Sequence, residues 1–212
     1  MSRLWTFLGC IVLASCGPLV SDSPLGQMAS RFAPSQQQAA PSPEAVQAAQ
    51  VAMAQREQIA FALVELNTSS RAFVAGRNGR QVTWQTANGE SITLENGLLV
   101  ATRGLGDDLM GANVSEARRA LIAGGGEATR EASFLGSQDE IIRRVFECQV
   151  VDRGAETLTL YDTSRRTTKF VETCVGQSIS FENQYWIGTS GNVWQSRQWI
   201  SPQIGYIDNQ KL

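Results

Sequence analysis

The absence of histidine limits the chemistry that this chain can perform. Its 212 residues include 20 acidic and 18 basic side chains, four cysteines and no histidine. Without histidine, Ser-His-Asp and Cys-His catalytic arrangements and histidine-ligated metal sites cannot form. The balanced charge gives little attraction for the phosphates of a nucleic acid. We therefore expect no metal, no cofactor and no nucleic-acid partner.

Two adjacent carboxylates, Asp107 and Asp108, are the remaining candidates for acid–base chemistry. Glycoside hydrolysis uses two carboxyl groups about 5–10 Å apart across the scissile bond. Adjacent residues rarely converge on one bond, and acidic turns are common, so we favour a structural role for this pair. We predict that the protein is not an enzyme. A glycan-modifying enzyme that uses these aspartates is the alternative.

The amino terminus has the pattern of a signal peptide over residues 1–15. A basic residue precedes an apolar run that is too short to span a bilayer. The run ends in Leu13-Ala14-Ser15-Cys16, which resembles the lipobox of bacterial lipoproteins. That resemblance implies cleavage after Ser15, acylation of Cys16 and, because Gly17 follows, an address at the periplasmic face of the outer membrane. The alternative is an ordinary secretory signal in which Cys16 is incidental.

The remaining two cysteines, Cys148 and Cys174, lie in strand-like stretches 26 residues apart. An even pair in an oxidising compartment favours a disulfide. Two buried free thiols are the alternative, expected in a reducing cytosol. No histidine is available to complete a metal site or to activate a catalytic thiol.

Proline, glutamine and serine dominate residues 16–44, which we interpret as a lipidated cysteine followed by a flexible tether. Residues 45–212 are predicted to form a single β domain, with a short amphipathic helix at its start. Three Asn-Gly pairs between 78 and 97 indicate hairpins. After a second helix over 116–123, strands resume to the end, with a predicted turn at 152–154. This pattern predicts a mainly β fold, an antiparallel meander sandwich or barrel with one or two short helices.

The last hairpin concentrates the aromatic residues. Pairing 178–187 with 192–200 places Trp186 opposite Trp194, with Gln184 and Gln198 beside them. Such a group is either an exposed platform that binds a glycan or a partner, or a covered structural pair. Trp186, Trp194, Gln184 and Gln198 are therefore a candidate surface for binding a glycan or a partner.

The same register gives two structural predictions. Phe181 faces Trp199 on the core side of the hairpin. Arg197 points inward next to Asn183, where a buried guanidinium requires a carboxylate partner. The sequence does not identify that carboxylate.

Three stretches together resemble a known family: 96–109 (NGLLVATRGLGDDL), 181–186 (FENQYW) and 193–202 (VWQSRQWISP), the last followed by Gly205-Tyr206. With the lipobox, they are similar to the YjbF family of group 4 capsule (GfcB-like) lipoproteins. Arg197 and Trp199 belong to the third stretch. The resemblance implies an outer-membrane lipoprotein with a mainly β fold, associated with exopolysaccharide or capsule production and export. It supplies no catalytic residues.

These observations favour a non-enzymatic accessory factor. Its expected partners are the membrane, through the lipid anchor, and the polysaccharide or the proteins that export it. Besides the glycan-modifying enzyme, a second alternative is a carrier that holds a hydrophobic ligand inside the barrel, which requires a large apolar cavity.

Overall fold

The computed structural model describes residues 42–136, 140–160 and 163–212. The predicted signal peptide, Cys16 and nearly all of the predicted tether lie outside these residues. Helix α1 spans Pro43–Ala54 and begins after Ser42, whose Oγ accepts a hydrogen bond from the backbone N–H of Ala45 at 3.2 Å. This is a conventional N-cap. None of the helices in the described part of the chain has the length and hydrophobicity needed to cross a bilayer.

Twelve strands and one further helix follow within a compact unit, Gln50–Leu212. In chain order they are β1 (Gln58–Leu63), β2 (Thr68–Asn78), β3 (Gln81–Gln85), β4 (Ser91–Glu95), β5 (Leu98–Arg103), β6 (Leu109–Asn113), α2 (Ser115–Ala123), β7 (Gly125–Leu135), β8 (Ile141–Leu160), β9 (Thr163–Val175), β10 (Ser180–Gly188), β11 (Val193–Ser201) and β12 (Gly205–Lys211).

The strands form one antiparallel sheet that curls into a nearly closed barrel. The order is β5-β4-β3-β2-β1-β12-β11-β10-β9-β8-β7-β6, so among the described strands only β1 and β12 pair although they are distant in sequence. Across the seam between β5 and β6, Arg103 donates hydrogen bonds to the carbonyl oxygens of Leu109 (3.1 Å) and Met110 (3.0 Å). The predicted mainly β, antiparallel meander fold with two short helices is confirmed.

Local sequence explains the hairpins. At Asn96-Gly97 both residues have positive φ (50° and 90°), as a type I′ turn requires. The predicted turn at 152–154 is wrong: β8 continues through it as a bulge, where the register with β9 shifts between Asp152 and Ala155. Gly154, at φ 94°, absorbs the extra residue, and its N–H bonds to the carboxylate of Asp152 at 2.7 Å.

The main core fills the inner face of the sheet, which we define as the face that carries Phe146, Tyr185 and Ile207. The opposite face is the outer face. Cys148 and Cys174 are directly paired across β8 and β9 on the inner face and form the predicted disulfide. The barrel wall is therefore covalently linked between these two strands.

Candidate functional site

An ion pair is buried in the core. Nε of Arg130 on β7 donates to Oε1 of Glu172 on β9 at 2.7 Å, and both side chains are buried. Tyr185 on β10 completes the group: its hydroxyl accepts from Arg130 Nη2 at 2.8 Å and donates to Glu172 Oε2 at 2.7 Å. Asn183 donates to the same carboxylate oxygen at 2.9 Å. Each partner of the pair therefore has further hydrogen bonds, as a buried charge requires.

Polar contacts continue from this group towards β5. Gln198 on β11, which is 1% exposed, accepts a hydrogen bond from the N–H of Leu99 at 2.7 Å and donates to the carbonyl of Gly97 at 2.9 Å. It also donates to Ser196, which accepts a second bond from Asn209 on β12. These bonds connect strands on opposite sides of the barrel interior.

The charges in this network are stabilised by one another. Burial alone would raise the pKa of Glu172, but the Arg130 guanidinium and the hydrogen bonds from Asn183 and Tyr185 outweigh it and hold that pKa below its ordinary value. Burial raises the pKa of the Tyr185 hydroxyl, and Glu172 raises it further. Both groups therefore keep their ordinary charge states at neutral pH, and the network is a structural element of the core.

A cavity of about 20 Å³ lies beside this network, lined by residues that include Arg130, Phe146 and Trp199. Pockets for small organic ligands are roughly 300–1,000 Å³. This cavity is too small to hold a lipid.

The register of the last hairpin differs from the predicted one. Ile187 faces Val193 as expected, but a bulge shifts the next pair, so that Trp186 faces Gln195. One extra residue reverses the faces of the side chains that follow it, here Ser196, Arg197 and Gln198, until a second register shift between Trp199 and Ser201. Gln198 therefore points into the core, and Arg197 lies on the outer face; both predicted orientations were wrong.

Arg197 has the carboxylate partner that its guanidinium was expected to need. Its Nε and Nη2 each donate to one carboxylate oxygen of Asp208 at 2.7 Å, and the two side chains are 43% and 38% exposed. These hydrogen bonds raise the pKa of Arg197. Trp199 stacks on Phe181, with ring centroids 4.5 Å apart, so these two residues are in contact as the sequence predicts.

Two rows of side chains cross the outer face. The strand pairings align Lys169, Trp186, Gln195, Gln210 and Ala60 in one row, from β9 to β1. A parallel row contains Gln184, Arg197, Asp208 and Ala62. At about 4.8 Å per strand, the first row is about 19 Å long. We call these two rows the outer strip; its side chains are mostly polar, and it contains Trp186 near one end.

A small second core lies at one end of this strip. Leu158 and Leu160, from the far end of the β8–β9 hairpin, pack on Trp186, and Trp194 packs against the same cluster. Trp186 is only 8% exposed. We call these four residues the tryptophan cluster. It matches the covered pair more closely than the exposed platform.

The four residues of the predicted binding surface are therefore not on one exposed face. Trp186 and Trp194 are in the tryptophan cluster, Gln184 lies in the second row and donates to Glu182 at 3.0 Å, and Gln198 is in the core. Their role in binding a glycan or partner stays a prediction.

A shallow groove lies over the part of the two rows that β11, β12 and β1 contribute. Its volume is about 200 Å³, and its lining includes the small residues Ala60, Ala62 and Ser69, the amides of Gln195 and Gln210 and the carboxylate of Asp208. Small side chains on the floor give a ligand access to the sheet, and amides both donate and accept hydrogen bonds.

The carboxylate of Asp108 organises the loop between β5 and β6. It accepts hydrogen bonds from the hydroxyl of Thr102 (2.7 Å) and from the N–H groups of Gly104 (2.8 Å) and Leu105 (3.2 Å). Asp108 therefore has the structural role that the sequence favoured for it.

Sequence reasoning missed Arg130, Glu172 and the cations around the tryptophans. One signal for Glu172 was present: it is the charged residue of the stretch 170–174 (FVETC), in which Phe170, Val171 and Cys174 are apolar. A charge at such a position requires a buried partner. Arg130 could not be identified as that partner, because it lies two strands away and 42 residues earlier.

Comparison with known proteins identifies the family to which this chain is similar. The family model YjbF, described as group 4 capsule polysaccharide lipoprotein gfcB, matches residues 29–212. A similar solved structure is that of the hypothetical lipoprotein YmcC from Escherichia coli K12, with 17% sequence identity and a TM-score of 0.68. The superposition covers 82% of this chain and 97% of YmcC, so the two share a fold. No curated protein matches the sequence.

Proposed function

Because this chain belongs to the YjbF family of group 4 capsule polysaccharide lipoproteins, we propose that it is a non-enzymatic accessory factor in capsule or exopolysaccharide production or export. Cys16 carries the lipid that anchors it at the periplasmic face of the outer membrane. The β domain extends on its tether and contacts the polysaccharide or the proteins that export it. The observation that carries this proposal is the family match over residues 29–212.

The geometry supports a binding role rather than a catalytic one. The buried Glu172 is neutralised by Arg130, and the carboxylate of Asp108 is occupied by loop hydrogen bonds. A general acid or base must instead reach the proton that it transfers. The outer strip has the opposite character, because its amides in the 200 Å³ groove face solvent-accessible space.

Deleting the gene and measuring surface and secreted polysaccharide tests the pathway assignment. We expect the deletion to reduce polysaccharide and the full-length protein to restore it. Unchanged polysaccharide in the deletion strain would contradict the proposal.

The anchor is tested with Cys16→Ala, matched against Cys10→Ala, which changes the other amino-terminal cysteine. We expect only Cys16→Ala to move the protein from the membrane fraction to the soluble fraction and to abolish complementation. Mass spectrometry of the wild-type amino terminus provides the direct measurement. An unmodified Cys16, or membrane association of the Cys16→Ala protein, would refute the anchor.

A further inference from the structure

Three cationic side chains lie against the tryptophan cluster. The guanidinium carbon of Arg165 is 3.7 Å from the ring centroid of Trp194, and Nζ of Lys211 is 5.9 Å from the same centroid. Nζ of Lys169 is 4.8 Å from the ring centroid of Trp186. Within residues 42–136, 140–160 and 163–212, none of the three forms an ion pair with a carboxylate. We call them the cation group; their contacts with the two indole rings hold the positive charges close together.

Among the residues that the structure describes, two buried N–H groups near the cation group have no acceptor. They are Nε1 of Trp186, a side chain more than nine-tenths buried, and Nε of Arg165. Both groups can only donate a hydrogen bond. Buried donors are normally paired, and a donor without an acceptor destabilises the site. Together with the cation group, these donors favour a ligand that brings negatively charged oxygen.

The groove beside the cluster favours a saccharide as the bearer of that oxygen. Gln195 faces Trp186 across β10 and β11, and Gln210 is the next residue of the row. Amide side chains match the hydroxyl groups of a sugar, because each can both donate and accept. A ligand that lies along the row therefore meets positive charge at one end and the two amides along the rest. The groove also contains the carboxylate of Asp208, whose charge is paired with Arg197.

We propose that Arg165, Lys169 and Lys211 form a subsite for the carboxylate of an acidic saccharide unit, whose hydroxyl groups contact Gln195 and Gln210. The inference rests on the proposed function, since it names the chemical class of polysaccharide that the domain contacts. It differs from simple ring stacking, because cations occupy positions over both indoles. Charge, not ring stacking, then selects the ligand.

A membrane surface is a poorer fit to the same cations. Insertion into a bilayer interface relies on exposed apolar side chains next to the basic ones. Here the apolar residues Leu158, Leu160 and Trp186 are all buried. Binding to anionic lipid is therefore kept as an outcome of the experiment that would overturn the proposal.

The test measures binding of acidic oligosaccharides to the full-length protein in detergent by calorimetry. The probes are oligomers of polygalacturonate, polymannuronate and polysialate, with methyl-esterified polygalacturonate as the neutral comparator. We expect at least one acidic probe to bind about tenfold more tightly than the ester, as loss of charge-assisted hydrogen bonds predicts. The affinity should fall as salt increases.

A matched pair of variants locates the site. Arg165→Gln is expected to weaken acidic binding about tenfold. Arg166→Gln removes the same charge from the next residue of β9, whose exposed side chain leaves from the opposite face, and should leave binding unchanged. Trp186→Phe keeps an aromatic ring beside Lys169 but removes Nε1, and we expect it to weaken binding as well.

Several results would overturn the subsite: no binding to any acidic probe, equal binding of the ester, or equal effects of the Arg165 and Arg166 variants. Arg165→Gln is also tested for binding to phosphatidylglycerol vesicles. If the variant loses vesicle binding but keeps saccharide binding, the cations bind lipid and the proposal is refuted. The polysaccharide phenotype of the deletion strain is measured separately. If that phenotype holds while the subsite fails, only the saccharide class is wrong.

Discussion

The buried ion pair gives the sharpest prediction about stability. In Glu172→Gln the side chain keeps its shape, but the negative charge 2.7 Å from Arg130 is lost and the guanidinium stays buried. Removing one partner of a buried pair costs about 3–5 kcal/mol. A domain is usually stable by about 5–15 kcal/mol. With a urea slope of about 2 kcal/mol/M, the unfolding midpoint should fall by about 2 M.

A double-mutant cycle separates the pair from the hydrogen bonds around it. Arg130→Met alone leaves a buried carboxylate without its counter-charge and should cost about 3–5 kcal/mol as well. The double variant contains no uncompensated charge, so it should be more stable than either single variant. Urea unfolding followed by tryptophan fluorescence, with the disulfide intact, measures all four proteins.

An exposed ion pair provides the control. Asp208→Asn breaks the bidentate contact with Arg197, whose side chain is 43% exposed, and should cost no more than about 1 kcal/mol. The reasoning fails if Glu172→Gln costs as little as Asp208→Asn. It also fails if the double variant loses the sum of the two single losses, because the charges would then be energetically independent.

Three further predictions follow from the same contacts. The fold lowers the pKa of Glu172, so the contribution of its charge to the free energy of unfolding is present at neutral pH and is lost as pH falls through the folded pKa. The difference in unfolding free energy between wild type and Glu172→Gln should therefore decrease in acid. A difference independent of pH would contradict this. Replacing Cys148 and Cys174 by serine opens a link between residues 26 apart, and unfolding should show a loss of about 3.5 kcal/mol on the chain-entropy model; an unchanged midpoint would refute it. Gly97→Ala places a Cβ 2.5 Å from the Cβ of Val193, whereas the Cβ of Gly89→Ala, also at positive φ, meets no atom within 4 Å. Thermal melting should therefore show a larger loss of stability for Gly97→Ala. Equal losses would refute the steric argument.

The architecture could be predicted because its signals are local. Asn96-Gly97 fixes a type I′ turn through the φ values of two residues, and a turn with alternating flanks determines a hairpin. Cys148 and Cys174 could be paired because they were the two cysteines left once the amino-terminal pair was assigned to the signal and the lipid. Neither inference needs knowledge of distant strands.

Orientation on β11 could not be predicted in the same way. Counting back from the turn at 189–192 assumes an unbroken ladder, and a bulge breaks that assumption without a clear mark in the sequence. The error was confined to one residue of register, yet it exchanged the faces of Arg197 and Gln198. Similarly, the Arg130–Glu172 contact depends on the curvature that brings β7 and β9 side chains together across the core.

The bulge in β11 determines which side chains of this strand face the core and which face outward. Val193 lies in the core, Trp194 and Gln195 lie on the outer side, and Ser196 returns to the core. Because Trp194 and Gln195 both lie on the outer side, Trp194 is next to Trp186. Gln198 then faces the core, where it forms hydrogen bonds with the backbone of Gly97 and Leu99. A regular strand would place either the tryptophan or the glutamine on the wrong face. The extra residue is therefore what allows one strand to satisfy a buried polar network and to build the outer tryptophan cluster at the same time.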